Sequence, residues 1–479
     1  MGRPSALCFL IPAAGFFSLA HPAFAQDVDQ PAPSPAKDSQ PVPVRPTISM
    51  NRWQEDWSVL ADPALRTQPL DNLKYIPLSA DDPKTYLSLG GGLRERFETN
   101  DAPGFNTTPG RADSYVISRL EAHADLRAGP VQIFLQLQSD FAFGKKTKSL
   151  VDSDRLDLEQ GFIAITEPVG SGTLKLRVGR QQFAFDLQRF VSVRDGPNVR
   201  QSFDAAWADY EIGPWRLIAY YTQPVVNRDD HPFDDSSSSR NRFYGIRVER
   251  HVLGTNELSA YWSRFTNDLA SFPAAAGPEQ RDVWDIRFAG KRGPVDWDAE
   301  AMAQTGHVGA HRIRAWATGS KIGYSFLTAA MKPRLGMQVD MASGDRDRAD
   351  GTLGTFNPLF PNGSYLNLGG YTGYANFIHV KPSVTVNPTS RLTVLGAIAA
   401  EWRMTTGDAI YTQPNVPVPR TLGNGHLWTG AYAQFRVDWR ASANLSGAVE
   451  VVHFDPGETI RTAGGRDSNY LGVELKFAW

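Results

Sequence analysis

The feature of this sequence most able to do chemistry is a concentration of arginine in one stretch. Between Leu174 and Asp204 it reads LKLRVGRQQFAFDLQRFVSVRDGPNVRQSFD. A guanidinium presents a planar fork of N–H donors that matches a carboxylate, so a series of them could guide an anionic chain. The arginines of this stretch are Arg177, Arg180, Arg189, Arg194 and Arg200.

These arginines also have a structural interpretation. Asp186, Asp195 and Asp204 are interleaved with them. Ion pairs within the stretch could therefore brace a loop instead of binding a ligand. The sequence leaves both roles open.

The elements that must position these residues are predicted by a repeated alternation. From Thr85 onward, apolar and polar residues alternate in segments of about ten residues, the length with which a tilted strand crosses a bilayer. Within Val116–Arg127 one parity is apolar and the other carries Arg119 with other charged residues. Further on, Leu174, Leu176 and Val178 lie opposite Lys175 and Arg177. One face suits lipid and the other suits water.

We count about 18 such segments as far as Trp479, and an even number allows closure. The fold class predicted is all-β: a single transmembrane antiparallel β-barrel with short periplasmic turns and long extracellular loops. The last segment, Tyr470–Trp479, alternates and ends on an aromatic residue. Strands of a soluble β-sandwich would also alternate, but they are shorter, about five or six residues. The predicted long loops are Arg189–Ser202, Gln223–Arg240, Asp345–Gly370 and Thr406–Gly425.

The start of the chain has the features of export. Residues 1–25 combine Arg3, an apolar stretch and a small-x-small cleavage site at Ala23–Ala25, which predicts a cleaved signal peptide. It contains the only cysteine, Cys8, so no disulfide is expected. Residues 26–50 are predicted as a disordered Pro-rich linker, 51–84 as a periplasmic lead-in and 85–479 as the barrel. We expect the mature protein in the outer membrane of a Gram-negative bacterium.

Several other classes are disfavoured. No later apolar run reaches the roughly 20 residues of a membrane helix. A net charge of −2 gives no support for a nucleic-acid partner.

The run Asp345–Gly351 resembles a calcium loop, but its third acidic residue comes one position late and no Glu follows at the ligand spacing. We therefore predict no metal site and no cofactor. A barrel-scaffolded hydrolase lacks a nucleophile with a base in reach.

The chain resembles the alginate export family of outer-membrane proteins over almost all of its predicted mature length. The resembling pieces are RWQEDWSVLADP at Arg52–Pro63, LKYIPL at Leu73–Leu78, YLSLGGGLRERFE at Tyr86–Glu98, GRQQF at Gly179–Phe183, RDGPNVRQSFD at Arg194–Asp204, and ASGDRD and FNPLFP between Ala342 and Pro361. The combination is specific, although each piece alone is weak.

The resemblance implies an 18-stranded barrel whose arginine-rich lumen, gated by inward-folded loops, conducts a polyuronate. The residues carried over from the family's motifs are Arg94, Arg96, Arg180, Gln181, Arg189, Arg194, Asp195, Asn198, Arg200 and Asp204. Strand parity adds Arg119 and Arg177 to the predicted substrate-binding set. Periplasmic secretion components are partners implied only by the resemblance.

The function predicted is therefore a channel, not an enzyme, for an anionic polysaccharide or oligosaccharide, in contact with outer-membrane lipid. Uptake of small anionic or sugar solutes through a narrower pore is the alternative within this class. A membrane hydrolase and a purely structural barrel are the alternatives from other classes.

Overall fold

The computed structural model describes residues 45–107, 112–252 and 256–479. The predicted signal peptide and all of the predicted linker except residues 45–50 lie outside the described residues. The barrel strands are β1 (Tyr86–Asn100), β2 (Asp113–Ala128), β3 (Val131–Phe143), β4 (Asp154–Val169), β5 (Gly172–Gln181), β6 (Phe203–Ile212), β7 (Trp215–Val226), β8 (Asn241–Val252), β9 (Asn256–Ser271), β10 (Ala276–Arg292), β11 (Val295–Val308), β12 (His311–Ser325), β13 (Arg334–Ala342), β14 (Phe377–Thr389), β15 (Leu392–Trp402), β16 (Trp428–Arg440), β17 (Leu445–Pro456) and β18 (Ser468–Ala478).

These strands form one closed antiparallel barrel of 18 strands, which confirms the predicted fold class. Each strand pairs with its neighbour in sequence. β1 pairs with β18 along Gly92↔Ala478 to Asn100↔Tyr470, which closes the sheet. Because a closed barrel leaves no unpaired strand edge, it satisfies the backbone within a bilayer.

The two faces of the barrel differ as the alternation predicts. Large apolar side chains on the outside are exposed, among them Leu120, Ile163, Val178 and Ile398 at 53, 53, 62 and 64%. The opposite parity points inward and carries charged and amide side chains. The outward set forms a lipid-contacting belt, as in other membrane barrels.

The connections at the two ends of the barrel are unequal. At one end, most are two-residue turns, and several begin with a glycine in the left-handed region, such as Gly129 (φ 57°) and Gly293 (φ 60°). At the other end lie the long loops 182–202, 227–240, 343–376 and 403–427, which contain or overlap every long loop predicted. By the usual arrangement of membrane barrels, the short-turn end is periplasmic and the long-loop end extracellular.

The remaining elements are short. Those of the lead-in are the 3-10 helices Arg52–Gln54, Trp57–Ala61 and Pro63–Leu65, the helix α1 (Asp71–Lys74) and the strand Ile76–Pro77, which pairs with the start of β1. Those of the loops are the 3-10 helix Pro103–Asn106, the helix α2 (Glu458–Thr462) and the two-residue strands Ser236–Ser237, Thr352–Leu353, Tyr411–Thr412 and Val416–Pro417. No helix in the described ranges is long and apolar enough to cross a membrane.

Candidate functional site

Residues 182–202, here called the crossing loop, connect β5 to β6 and lie inside the barrel. Arg119 Nε of β2 donates to the Asn198 carbonyl oxygen of the loop at 2.7 Å. At the other side of the lumen, Arg189 of the loop pairs with Asp298 of β11 at 2.8 Å. Since β2 and β11 stand nine strands apart in an 18-strand barrel, the loop spans the lumen.

Residues 343–376, here called the facing loop, connect β13 to β14 and meet the crossing loop. The Phe360 backbone N–H donates to the Phe190 carbonyl oxygen at 3.0 Å, and the Asn362 N–H donates to the Gln188 carbonyl oxygen at 3.2 Å. Val191 and Phe360 form a parallel β-bridge. The two loops therefore form one body within the lumen, here called the loop plug.

The apolar composition of both loops explains why they fold inward. Phe183, Phe190 and Val191 of the crossing loop and Phe356 of the facing loop are at most 2% exposed. They pack against lumen-facing rings of the barrel: the Phe183 centroid lies 4.5 Å from that of Phe203 on β6. Burying each large apolar side chain contributes roughly 1.5–3 kcal/mol, which favours the loops inside the barrel over a solvated position.

The predicted arginines of β1 and β2 are all engaged with acidic groups. Arg94 and Arg119 lie directly opposite each other in the strand register. Arg94 pairs with Glu474 at 2.7 Å, and Arg119 pairs with Asp195 of the crossing loop at 2.6 Å. Arg96 pairs with Glu98, Glu450 and Glu474. These ion pairs offset the mutual repulsion of the arginines and attach the crossing loop to the wall.

The predicted residues of β5 and β6 form two sets of contacts: Arg180 pairs with Asp204, and Arg177 Nε donates to Gln181 Oε1. Arg180 pairs with Asp204 at 3.0 Å, near the extracellular end. Gln181 Nε2 donates to the Ala205 carbonyl oxygen at 3.1 Å. Arg177 lies deeper, with its guanidinium carbon 4.2 Å from the ring centroid of Trp53 in the lead-in. The structure thus does not bring Arg177 and Arg180 to one site.

Within the crossing loop, Asp195 and Asn198 organise the attachment to β2. Asn198 Nδ2 donates to the carbonyl oxygens of Ser118, Phe141 and Asp152 at 3.0, 3.1 and 3.1 Å. Arg200 pairs with Asp195 at 2.7 Å and also with Glu121. Burial raises the pKa of Asp195, but Lys476, Arg200 and Arg119 outweigh it and hold that pKa well below its ordinary value. Asp195 is therefore an anion that joins several arginines.

Arg194 differs from the other predicted arginines of the loop. Its Nη2 donates to the Leu359 carbonyl oxygen of the facing loop at 3.1 Å, and its guanidinium lies 5.6 Å from the Phe360 ring centroid. It forms no ion pair with any residue that the structure describes. Burial lowers the pKa of Arg194 to about 10, so the side chain is still charged at neutral pH. Arg194 is a cation whose charge no contacting carboxylate offsets.

Sequence reasoning missed two lysines that also contact the facing loop. Lys321 of β12 lies 4.3 Å above the ring centroid of Tyr365, and Lys381 of β14 donates to the Leu366 carbonyl oxygen. Neither forms an ion pair within the described part of the chain. The alternation predicts that both lysines face the lumen. Each is isolated in its strand, however, and no neighbouring motif in the sequence indicates a binding role.

The lead-in occupies the periplasmic mouth of the barrel. Arg127 Nη2 of β2 donates to the carbonyl oxygens of Trp53 and Glu55 at 2.8 and 3.0 Å. Lys74 Nζ lies against β1 at Gly90, where an added Cβ would come within 2.2 Å of it. Gly90 therefore permits this close approach. At the end of the predicted linker, Arg45 pairs with Asp71 at 2.5 Å, so residues 45–50 belong with the lead-in.

A closed 18-strand barrel with an apolar belt and a polar, loop-containing lumen defines an outer-membrane channel of the porin type. The chain belongs to the alginate export family, whose model matches residues 85–474. That family and this fold are those of a channel, not of an enzyme. None of the curated proteins matches the chain.

Solved outer-membrane structures share the fold at low sequence identity. Pseudomonas aeruginosa OccK2 (OpdF), in complex with glucuronate, is 13% identical, with a TM-score of 0.54 over 82% of this chain and 98% of that chain. Acinetobacter baumannii OccAB1 is 12% identical, with a TM-score of 0.55 over 85% of this chain and 99% of that chain. Pseudomonas aeruginosa OccD3 (OpdP) is 11% identical, with a TM-score of 0.55 over 82% and 91%.

Proposed function

We propose that this channel passes uronate-type anionic saccharides through a lumen gated by the loop plug. The observation that carries the proposal is Arg194, a half-buried guanidinium between the crossing loop and the facing loop, with no ion pair in the described structure. Lys321 and Lys381 lie along the same facing-loop segment, near residues 359–366. Together they supply positive charge that a passing carboxylate can use.

The selection works without covalent chemistry. A carboxylated sugar that enters the lumen loses part of its hydration shell, and a fixed cation with unused donors replaces some of that hydration. Arginines that already hold carboxylates contribute less, because their charge is offset. In this proposal the paired arginines position the loops, while Arg194 and the two lysines contact the solute.

The crossing loop is the proposed gate. It is attached to β2 by Arg119, Asp195 and Asn198 and to β11 by Arg189. A polymer needs a wider opening than a monomer, so passage of a polyuronate requires the loop to leave one of its two attachments. The many ion pairs at each attachment make such a movement rare without a solute.

Uptake of small acidic sugars is the second candidate. The loop plug narrows the lumen in the described structure, which suits a monomer or short oligomer better than a polymer. The glucuronate bound to the similarly folded OccK2 is a solute of this chemical class. Both candidates use the same cations and differ in the length of the saccharide.

The test is single-channel recording in planar bilayers, with glucuronate and polyuronate oligomers of increasing length. We expect anion preference and a concentration-dependent block by uronates. Arg194→Ala should reduce the anion-to-cation permeability ratio and the uronate affinity by about fivefold, the effect of roughly 1 kcal/mol for one partly screened charge. Block that strengthens with oligomer length favours the polymer, whereas block by the monomer alone favours small-solute uptake.

Arg264→Ala is the matched control, because Arg264 pairs with Asp282 at 2.8 Å and is part-exposed on the outer parity of β9. It should leave conductance and selectivity unchanged. A channel that is indifferent to uronates, or equal selectivity in Arg194→Ala and the unaltered protein, would exclude the proposal.

A further inference from the structure

A group of carboxylates at the extracellular end of β4 lies apart from the lumen cations. Asp154 and Asp157 come from the first residues of β4, and Asp235 comes from the loop between β7 and β8. One carboxylate oxygen from each lies within 4.8 Å of the others. The loop is held there by two backbone N–H groups: Phe233 donates to the Leu156 carbonyl oxygen at 2.9 Å, and Asp235 donates to Asp157 Oδ2 at 3.0 Å.

Asp154 has no partner that explains its position. Its side chain is 3% exposed, and its buried Oδ1 accepts no hydrogen bond from any described residue. It also forms no ion pair in the described part of the chain. In the strand register it lies opposite another acidic residue, Asp140 of β3. A buried carboxylate without a donor, facing a like charge, is unfavourable unless it is protonated or a cation is bound beside it.

The neighbouring groups add negative charge. Asp229 and Asp234, from the same loop as Asp235, each bury an Oδ1 without a hydrogen-bond partner among the described residues. Two guanidinium groups lie nearby: Arg155 is 3.5 Å from Asp229, and Arg180 is 3.5 Å from Asp157, although the closer ion pair of Arg180 is to Asp204. Neither Asp154 nor Asp235 forms an ion pair with a described residue.

A second set of three carboxylates, in the lumen, differs because arginines contact some of its members. Asp186, Asp285 and Glu300 also bring oxygens within 4.8 Å of one another. There, Asp186 accepts hydrogen bonds from Arg247 at 2.6 Å and from Arg287 at 2.9 Å, and Glu300 pairs with Arg189. Arginines therefore contact two of the three lumen carboxylates, although Asp285 accepts no hydrogen bond from a described residue. In the β4 group the one such contact in the described structure is that of Arg180 with Asp157 at 3.5 Å.

We infer that Asp154, Asp157 and Asp235 bind a calcium ion. Calcium takes several carboxylate oxygens in flexible, loop-supplied geometry, whereas magnesium requires a near-ideal octahedron. The ion would connect the loop of residues 227–240 to β4. This position is next to Arg180, close to the start of the crossing loop at residue 182. The inference is independent of which saccharide the channel passes.

The first test is calorimetric titration of the full-length protein in detergent, stripped with EDTA, with calcium chloride. We expect one site with a dissociation constant of about 10⁻⁴–10⁻³ M, the range of extracellular calcium modules. Asp154→Asn should weaken binding at least about tenfold. Asp230→Asn removes the same charge from an exposed position in the same loop and should leave binding unchanged. Absence of binding, equal affinity for magnesium chloride, or equal loss in both variants would overturn the inference.

A second measurement separates ion binding from a structural role of the carboxylate. In EDTA, Asp154→Asn should unfold at the same temperature as the unaltered protein or higher, because the substitution removes repulsion. Added calcium should raise the unfolding temperature of the unaltered protein and not that of the variant. A variant that is clearly less heat-stable in EDTA would show that Asp154 is held by protein contacts, and the inference would be wrong.

Discussion

The wall formed by β18, β1 and β2 carries its arginines in ion pairs, whereas the wall formed by β12 and β14 carries lysines without one in the described structure. On the first wall, Arg94 and Arg119 each contact a carboxylate and loop carbonyl oxygens. On the second wall, Lys321 contacts the ring of Tyr365, and Lys381 donates to the carbonyl oxygen of Leu366. The difference indicates that a positive charge alone does not give a side chain its role. Basic side chains that contact carboxylates attach the loops, whereas those without such contacts can select the solute.

The largest expected effect on stability comes from the wall formed by β18, β1 and β2, which attaches the crossing loop. Arg119 is 1% exposed, so Arg119→Ala removes its hydrogen bonds to the Asp195 carboxylate, which keeps Arg200, and to the Asn198 and Pro197 carbonyl oxygens. Breaking a buried pair of this kind costs about 3–5 kcal/mol in the free energy of unfolding. Urea unfolding in detergent should show that loss, and conductance should rise because the crossing loop is released. The outer-surface variant Arg264→Ala should cost about 0–1 kcal/mol. Similar losses in the two variants would show that Arg119 stabilises the fold no more than an ion pair on the outer surface does.

A medium effect, on ion selectivity, is expected from the wall formed by β12 and β14. Lys321→Met together with Lys381→Met removes two charges and keeps most of the side-chain volume. The anion-to-cation permeability ratio, measured from reversal potentials, should fall about threefold to tenfold, while the urea midpoint stays within the range of a surface variant. A double variant with unchanged selectivity but a much lower urea midpoint would place these lysines with the attaching residues.

The smallest effect concerns pH at the periplasmic mouth. Burial, with Arg52 nearby, lowers the pKa of Lys74 from its ordinary 10.5 to about 7. The undocked lead-in therefore binds more protons than the docked one between these values, so docking strengthens as pH rises from about 7 towards 10 and is constant, at its weakest, well below 7. The rate of proteolytic cleavage within residues 51–65 should fall about threefold from pH 7 to pH 9, relative to Lys74→Met at each pH. An identical pH dependence in the two proteins would contradict this assignment.

Sequence reasoning predicted the barrel because each strand carries its own alternation, a signal that needs no knowledge of distant residues. It also found the crossing loop, since Arg189 to Arg200 are close in sequence. It could not separate attaching from selecting arginines, because their partners are remote: Arg94 and Glu474 are 380 positions apart. Arg194 and Arg189 look alike in the sequence, and only the folded chain shows that Glu300 reaches Arg189 and not Arg194.

The contact between Arg52 and Trp479 has a consequence for the order of assembly. Arg52 of the lead-in donates to the Trp479 carbonyl oxygen, 427 positions away, and Gly91 of β1 exchanges backbone hydrogen bonds with Trp479 at 3.0 and 3.2 Å. That acceptor comes into place only when β18 has paired with β1. The lead-in precedes every barrel strand in the sequence, but this contact forms only after β18, the last strand, has paired. A docked lead-in therefore indicates that the barrel has closed.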